Sequence, residues 1–223
     1  MSLAVVLPWL RAALAVLASP PPLEVLQRAA ESYRCADALM EQGRWKAALG
    51  AFVRDLRGIA RAPGLLWVSV GGYPVELQAA ILSSMGTCLE QTGDIRGALS
   101  HYRRALEVDA TRAMVWARAG SCLVRLARFR EAVEHLDGAL RFDACPAEAL
   151  HDRGYALWRL GQPQAALRSL EECLALAPAN VEAWNLRGCL LAETGLGSEA
   201  AASLDRAGPR CLILTDPRRV NRN

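Results

Sequence analysis

The stretch AEALHDRGYALWRLGQPQAALRSLEECLALAPAN (residues 147–180) decides the fold, because it is one period of a 34-residue repeat. Gly154, in its eighth slot, has counterparts at Gly86, Gly120 and Gly188, and Ala166, twelve residues later, has counterparts at Ala98, Ala132 and Ala200. The fourth slot holds Leu82, Trp116, Leu150 and Trp184, and the eleventh holds Leu89, Leu123, Leu157 and Leu191, all large and apolar. Residues seven apart fall on one face of a helix. Tyr102, Leu136, Leu170 and Leu204, with Ala105, Ala139, Cys173 and Ala207 three residues on, repeat that helical spacing later in the period. Between the two runs the fifteenth slot reads Gly93, Ala127, Gly161 and Gly195, a turn signal in most copies. Each period is therefore predicted to fold as a helix, a tight turn and a second helix, with small residues at slots eight and twenty where backbones approach. Helices crossing at about 8–10 Å leave no room there for a branched side chain, and overpacking costs about 1–3 kcal/mol.

These residues resemble the tetratricopeptide repeat family, whose pattern of an aromatic or Leu, then Leu-Gly, Tyr, Ala, Phe and Pro recurs on the same period. The resemblance runs from residue 79 to 207 in four registers without insertion or deletion, giving repeats at 79–112, 113–146, 147–180 and a shorter final copy at 181–207. A divergent copy precedes them at 29–62, where Gly43, Trp45, Ala48 and Phe52 keep the slots and Ala36 replaces the glycine. The terminal proline is clear only at Pro178, with Ala110 and Ala144 in that slot in two other copies and Pro146 close behind the latter. The resemblance implies an all-α fold, a right-handed α-solenoid of helix-turn-helix repeats, acting as a protein-interaction scaffold or adaptor.

The flanks read differently. Leu3 to Ala18 is apolar apart from Arg11, lacks a basic start and is too short to span a bilayer. It is expected to form a helix that ends before Pro20, Pro21 and Pro22, so that residues 1–28 cap the array, and a membrane partner is disfavoured. Within 63–78, Leu65, Leu66, Trp67, Val68 and Val70 interrupt the repeats. They are expected to tuck back against the helices, with Pro74 starting the next; the functional alternative makes Trp67 a secondary interface. Residues 208–223 carry Cys211, Leu212, Ile213 and Leu214 and then Arg218, Arg219 and Arg222, with no capping helix visible. The apolar run is expected either to fold over the last repeat or to leave an end that meets a partner or, by self-association through the C-terminal repeat, another copy of the chain.

In this family the first helix of each pair lines the concave groove, so the resemblance points to particular slots. They hold Arg118, Ser121 and Arg125, then His151, Asp152, Tyr155, Trp158 and Arg159, then Asn185, Cys189 and Glu193. From these, Arg118, Arg125, His151, Tyr155, Trp158, Arg159 and Asn185 are the candidate groove residues, suited to an extended or helical peptide bearing acidic groups. The plainer alternative for Tyr155 and Trp158 is packing between neighbouring repeats. One subgroup of the family clamps the C-terminal carboxylate of heat-shock chaperones with Lys, Asn and Arg. Slots five and nine here read Tyr33 and Asp37, Ser83 and Thr87, Ala117 and Ser121, His151 and Tyr155, which disfavours that partner.

Composition narrows the rest. Hydrophobic residues make up 52% of the 223, the net charge of +3 is too small to argue for nucleic acid, and Lys46 is the one lysine among 26 basic residues. Arginine usage has two readings, coding bias or bidentate recognition of carboxylates and phosphates. Seven cysteines form no CxxC and no Cys/His cluster with metal-ligand spacing, so free thiols in a reducing compartment, cytoplasmic or nuclear, are expected. There is no glycine-rich phosphate loop, HExxH or GxSxG, and His151 and Asp152, adjacent on a helix, are expected to diverge. No enzymatic activity, catalytic residue, cofactor or metal is assigned. The second functional reading is a structural subunit that assembles through its uncapped C-terminal end and the Trp67 loop.

Overall fold

A computed structural model describes residues 23–61, 73–142 and 147–208. Every element among them is an α-helix: α1 (Leu23–Glu41), α2 (Trp45–Arg61), α3 (Tyr73–Gln91), α4 (Ile95–Val108), α5 (Ala113–Arg125), α6 (Phe129–Ala139), α7 (Ala147–Arg159), α8 (Pro163–Leu176), α9 (Val181–Glu193) and α10 (Gly197–Ala207). The fold is all-α and built from helix-turn-helix pairs. The chain forms two compact units that divide between Thr111 and Arg112. The expected N-terminal helix over Leu3–Ala18, Trp67 with its apolar loop, Cys145 and Pro146, and the tail from Pro209 lie outside the described residues. Helix α1 starts at Leu23, ahead of the repeat boundary expected at residue 29.

The turns explain the pairing. At the end of α7, Gly161 takes φ +76°. Its N–H donates to the Trp158 carbonyl at 2.9 Å and the Gln162 N–H donates to that of Leu157 at 3.0 Å, which closes the helix and reverses the chain. The same two bonds end α5, from Ala127 to Val124 and from Arg128 to Leu123, but there Ala127 holds φ +58° with a β-carbon in place. Starts are marked by capping: the Asn180 side chain accepts from the Ala183 N–H and that of Asp94 from the Gly97 N–H, each at 2.9 Å. Pro163 opens α8, where its missing N–H has no helical acceptor to leave unpaired.

The repeated glycines are small because of one neighbour each. A β-carbon on Gly120 would lie 2.5 Å from Leu136, on Gly154 2.9 Å from Leu170, and on Gly188 2.6 Å from Leu204. In the first unit, the Gly86 position would meet Tyr102 at 2.6 Å. Tyr102 is fully buried, and its hydroxyl donates to Glu90 at 3.0 Å. The paired alanines Ala98, Ala132, Ala166 and Ala200 are buried too. In the second unit, Leu150, Leu157, Leu170, Leu174, Leu186 and Leu190 form a continuous apolar core. The tryptophans at slot four differ from the leucines there: Leu82 and Leu150 are buried, whereas Trp116 and Trp184 are half-buried. An indole is too large for the space a leucine fills, and Trp116 spreads over Gly138 and meets the His135 ring at a tilt, 5.4 Å between centroids.

Within the second unit the first helices touch one another, α5 with α7 and α7 with α9, and form a row. Each second helix packs chiefly on its own first helix. No helix among the described residues is long and apolar enough to cross a membrane.

Candidate protein-binding site

At about 100° per residue, slots 2, 5, 6, 9, 12 and 13 of a first helix share one side, opposite slots 4 and 7. Helices α5, α7 and α9 place their candidate residues on that side of the row. Arg125 is exposed there, and Arg118, His151, Tyr155 and Arg159 are half-buried. Trp158 and Asn185 are only 4% and 5% exposed, so they belong to the wall of the face rather than its rim. The Trp158 indole N–H donates to the Glu193 carboxylate at 2.8 Å, tying α7 to α9. Burial between repeats, the plainer reading, therefore describes Trp158, while Tyr155 keeps an accessible edge.

Tyr155 sits in an aromatic and cationic cluster. Its ring meets Trp158 edge-on at 5.9 Å and Phe129 at 6.1 Å. The Arg159 guanidinium lies over Phe129 at 4.8 Å and over Tyr155 at 5.7 Å, and it donates to the Tyr155 hydroxyl at 2.8 Å. Stacking and that bond hold the cation in a fixed orientation, which reduces the ordering cost of engaging a carboxylate. Phe129 escaped the sequence reading because it opens a second helix, outside the slots considered. An aromatic in slot 17, as at Trp45, was the available signal.

His151 and Asp152 do not diverge as expected. The His151 Nδ1 lies 3.3 Å from one Asp152 oxygen, and the Ser121 hydroxyl donates to the other. Side chains on neighbouring helical positions can meet at their tips when a third group, here Ser121 on α5, draws one of them sideways. Asp152 stands between serine and histidine, so the histidine is not placed to take the serine proton. Among the described residues no three His, Cys, Asp or Glu side chains are grouped to hold a metal ion.

Two arginines face the other way. Arg153 donates to Asp137 at 2.6 Å and to the Ser169 hydroxyl at 2.5 Å; one period later Arg187 donates to Ser203 at 2.7 Å and pairs with Glu171 at 3.5 Å. Each joins its own second helix to the preceding one. The sequence signal was an arginine with an acid sixteen residues before it and a serine sixteen after, present twice. Part of the arginine usage is thus structural.

Three of the described thiols, Cys88, Cys122 and Cys173, are packing groups, whereas Cys35 is exposed. Cys88 and Cys173 are buried, which pushes both up to about 11. For Cys173 the carboxylates of Glu148 and Asp152 add to the effect of burial. Cys122, one period beyond Cys88, is buried as well.

The tetratricopeptide repeat family matches residues 85–149 and 151–210. The chain belongs to that family, a class of protein-interaction modules that are generally not enzymes. No curated protein sequence matches it. Among solved structures it is similar to a crystal structure of MamA, at 19% identity and TM-score 0.65 over 77% of this chain and 91% of that one. MamA from Desulfovibrio magneticus RS-1 aligns at 16% identity and TM-score 0.65, over 80% and 92%. YrrB, described as a tetratricopeptide repeat protein with an unusual peptide-binding site, aligns at 27% identity and TM-score 0.53, over 58% and 66%.

Proposed function

We propose that the chain is a scaffold or adaptor that binds a peptide or helix of a partner protein along the row of α5, α7 and α9. The observation that carries this reading is the Phe129, Tyr155 and Arg159 stack, with exposed Arg125 one repeat away on the same side of the row. An aromatic edge beside an oriented guanidinium suits an acidic side chain flanked by an apolar one. The peptide-binding site of YrrB supports the same use of such a fold. Arg118 and His151 extend the polar lining, and Trp158 and Asn185 support it from beneath. No chemistry is performed, and the partner is a protein rather than nucleic acid or a membrane. The buried thiols suit a reducing compartment, cytoplasmic or nuclear.

Affinity capture from cells tests the reading, with wild type compared with an Arg125→Glu, Arg159→Glu double variant and with Trp67→Ala, each first shown to be folded. A partner lost only from the double variant supports it. If Trp67→Ala alone loses partners, the array serves instead as a structural subunit assembling through its flanks.

A further inference from the structure

The opposite side of α9 carries a second feature that the peptide-binding row does not use. An open cleft of about 480 Å³ lies between helices α8 and α10, lined by the Trp184 side chain of α9. Leu174, Ala175 and Ala202 give it an apolar middle. Arg187, beside Trp184, is committed to Ser203 and Glu171 and so forms part of the frame. Two other charged groups on the rim differ. The Arg206 guanidinium stacks on Trp184 at 4.7 Å, and among the described residues it has no hydrogen-bond or ion-pair partner. The Glu199 carboxylate has none either among them, since Glu199 contributes only its backbone carbonyl, to Ser203.

Glu199 and Arg206 are seven residues apart on one face of α10, which puts them about 10 Å apart along the axis. The cleft therefore carries the Glu199 carboxylate at one end and the Arg206 guanidinium at the other, with apolar side chains between, while Glu171 is paired with Arg187. The preceding repeat lacks this layout, with Leu150 in place of Trp184 and Glu172 in place of Arg206. Stacking has already ordered the Arg206 side chain, so a carboxylate meets a guanidinium that loses little freedom on pairing.

We infer that this cleft docks a short amphipathic helix of a partner protein. That helix carries a basic residue opposite Glu199, an acidic residue opposite Arg206 two turns away, and an apolar side chain between them on Trp184. The charge pattern fixes the direction in which the helix lies, because the reversed orientation sets like charges against each other at both ends. This inference does not depend on the peptide-binding row.

The test selects a phage-displayed library of helical fourteen-residue peptides on the full chain and on a charge-swapped Glu199→Arg, Arg206→Glu variant with unchanged melting. Wild type is expected to enrich peptides with base and acid seven residues apart in one order, and the swapped chain the opposite order, each at least tenfold weaker on the other protein. The Arg125→Glu, Arg159→Glu variant is expected to retain the wild-type selection, which separates this cleft from the row. Absence of such enrichment, or enrichment indifferent to the swap, overturns the inference. Concentration-dependent self-association abolished by the swap overturns it too, and assigns the cleft to a second copy of the chain.

Discussion

Gly154 shows how one absent β-carbon sets the distance between two helices. It and its counterparts each face a single large residue sixteen positions on, so Gly154→Leu must displace Leu170 or the Ala166 carbonyl, the latter 3.3 Å from where a β-carbon would sit. We expect a loss of about 1–3 kcal/mol or more in chemical denaturation. Ala127 works in the other direction. A left-handed backbone strains any residue with a β-carbon by about 1–2 kcal/mol, a cost glycine avoids at the expense of a more disordered unfolded chain. Ala127→Gly should therefore raise the melting temperature, by an amount corresponding to about 0.5–1 kcal/mol; a lower melting temperature would contradict the turn geometry. The buried thiols make a pH prediction. Cys88 and Cys173 move from an ordinary value of 9.0 to about 11 on folding, so between those values the unfolded chain loses protons that the folded chain keeps. Stability is full below about pH 9 and falls as pH rises towards 11. Thermal melts across that range check it, and the alkaline slope should shrink in Cys88→Ala, Cys173→Ala.

The helical pairs of the regular repeats were legible in the sequence because the repeat supplies four readings of each slot, and small residues, turns and apolar faces are set by contacts within one period; the start of α1 at Leu23 was not. Trp116 and Trp184 were less legible. Slot four predicts an apolar residue there but not that an indole overflows onto the surface, so truncation of either ring should cost less than the 3–5 kcal/mol typical of a buried aromatic. The arginine latches lie outside the apolar and groove slots and show only as a twice-repeated arginine with an acid sixteen residues before it and a serine sixteen after, because Arg153 and Arg187 bridge a preceding repeat and their own. Energetically the two arms of a latch are unequal. Ser203 is 1% exposed, while Glu171 is 57% exposed and screened by water. Ser203→Ala should cost about 1–3 kcal/mol by leaving the guanidinium short of a partner, and Glu171→Gln should fall within about 0.5 kcal/mol of wild type. A double-mutant cycle with Arg187→Met should place most of the coupling on the serine.

For the whole molecule, the family was readable from residues 79 to 207, and the geometry of the candidate face only in part. The slots brought Tyr155 and Arg159 together, as helical spacing required. They placed buried Trp158 and Asn185 on the same footing, because spacing gives the direction of a side chain and not how deeply a neighbouring helix covers it. Phe129 and the cleft between α8 and α10 depend on second helices, which the groove slots leave out. Recognition through the row of first helices therefore stands or falls with the two arginines at its accessible edge. The binding isotherm of the captured partner segment decides it, measured with the purified full chain as wild type and as Arg125→Glu, Arg159→Glu, both with unchanged melting. Binding in the variant should be at least tenfold weaker, about 1.4 kcal/mol, with a difference that narrows as salt is raised. Equal affinity in the two proteins would contradict recognition through this face.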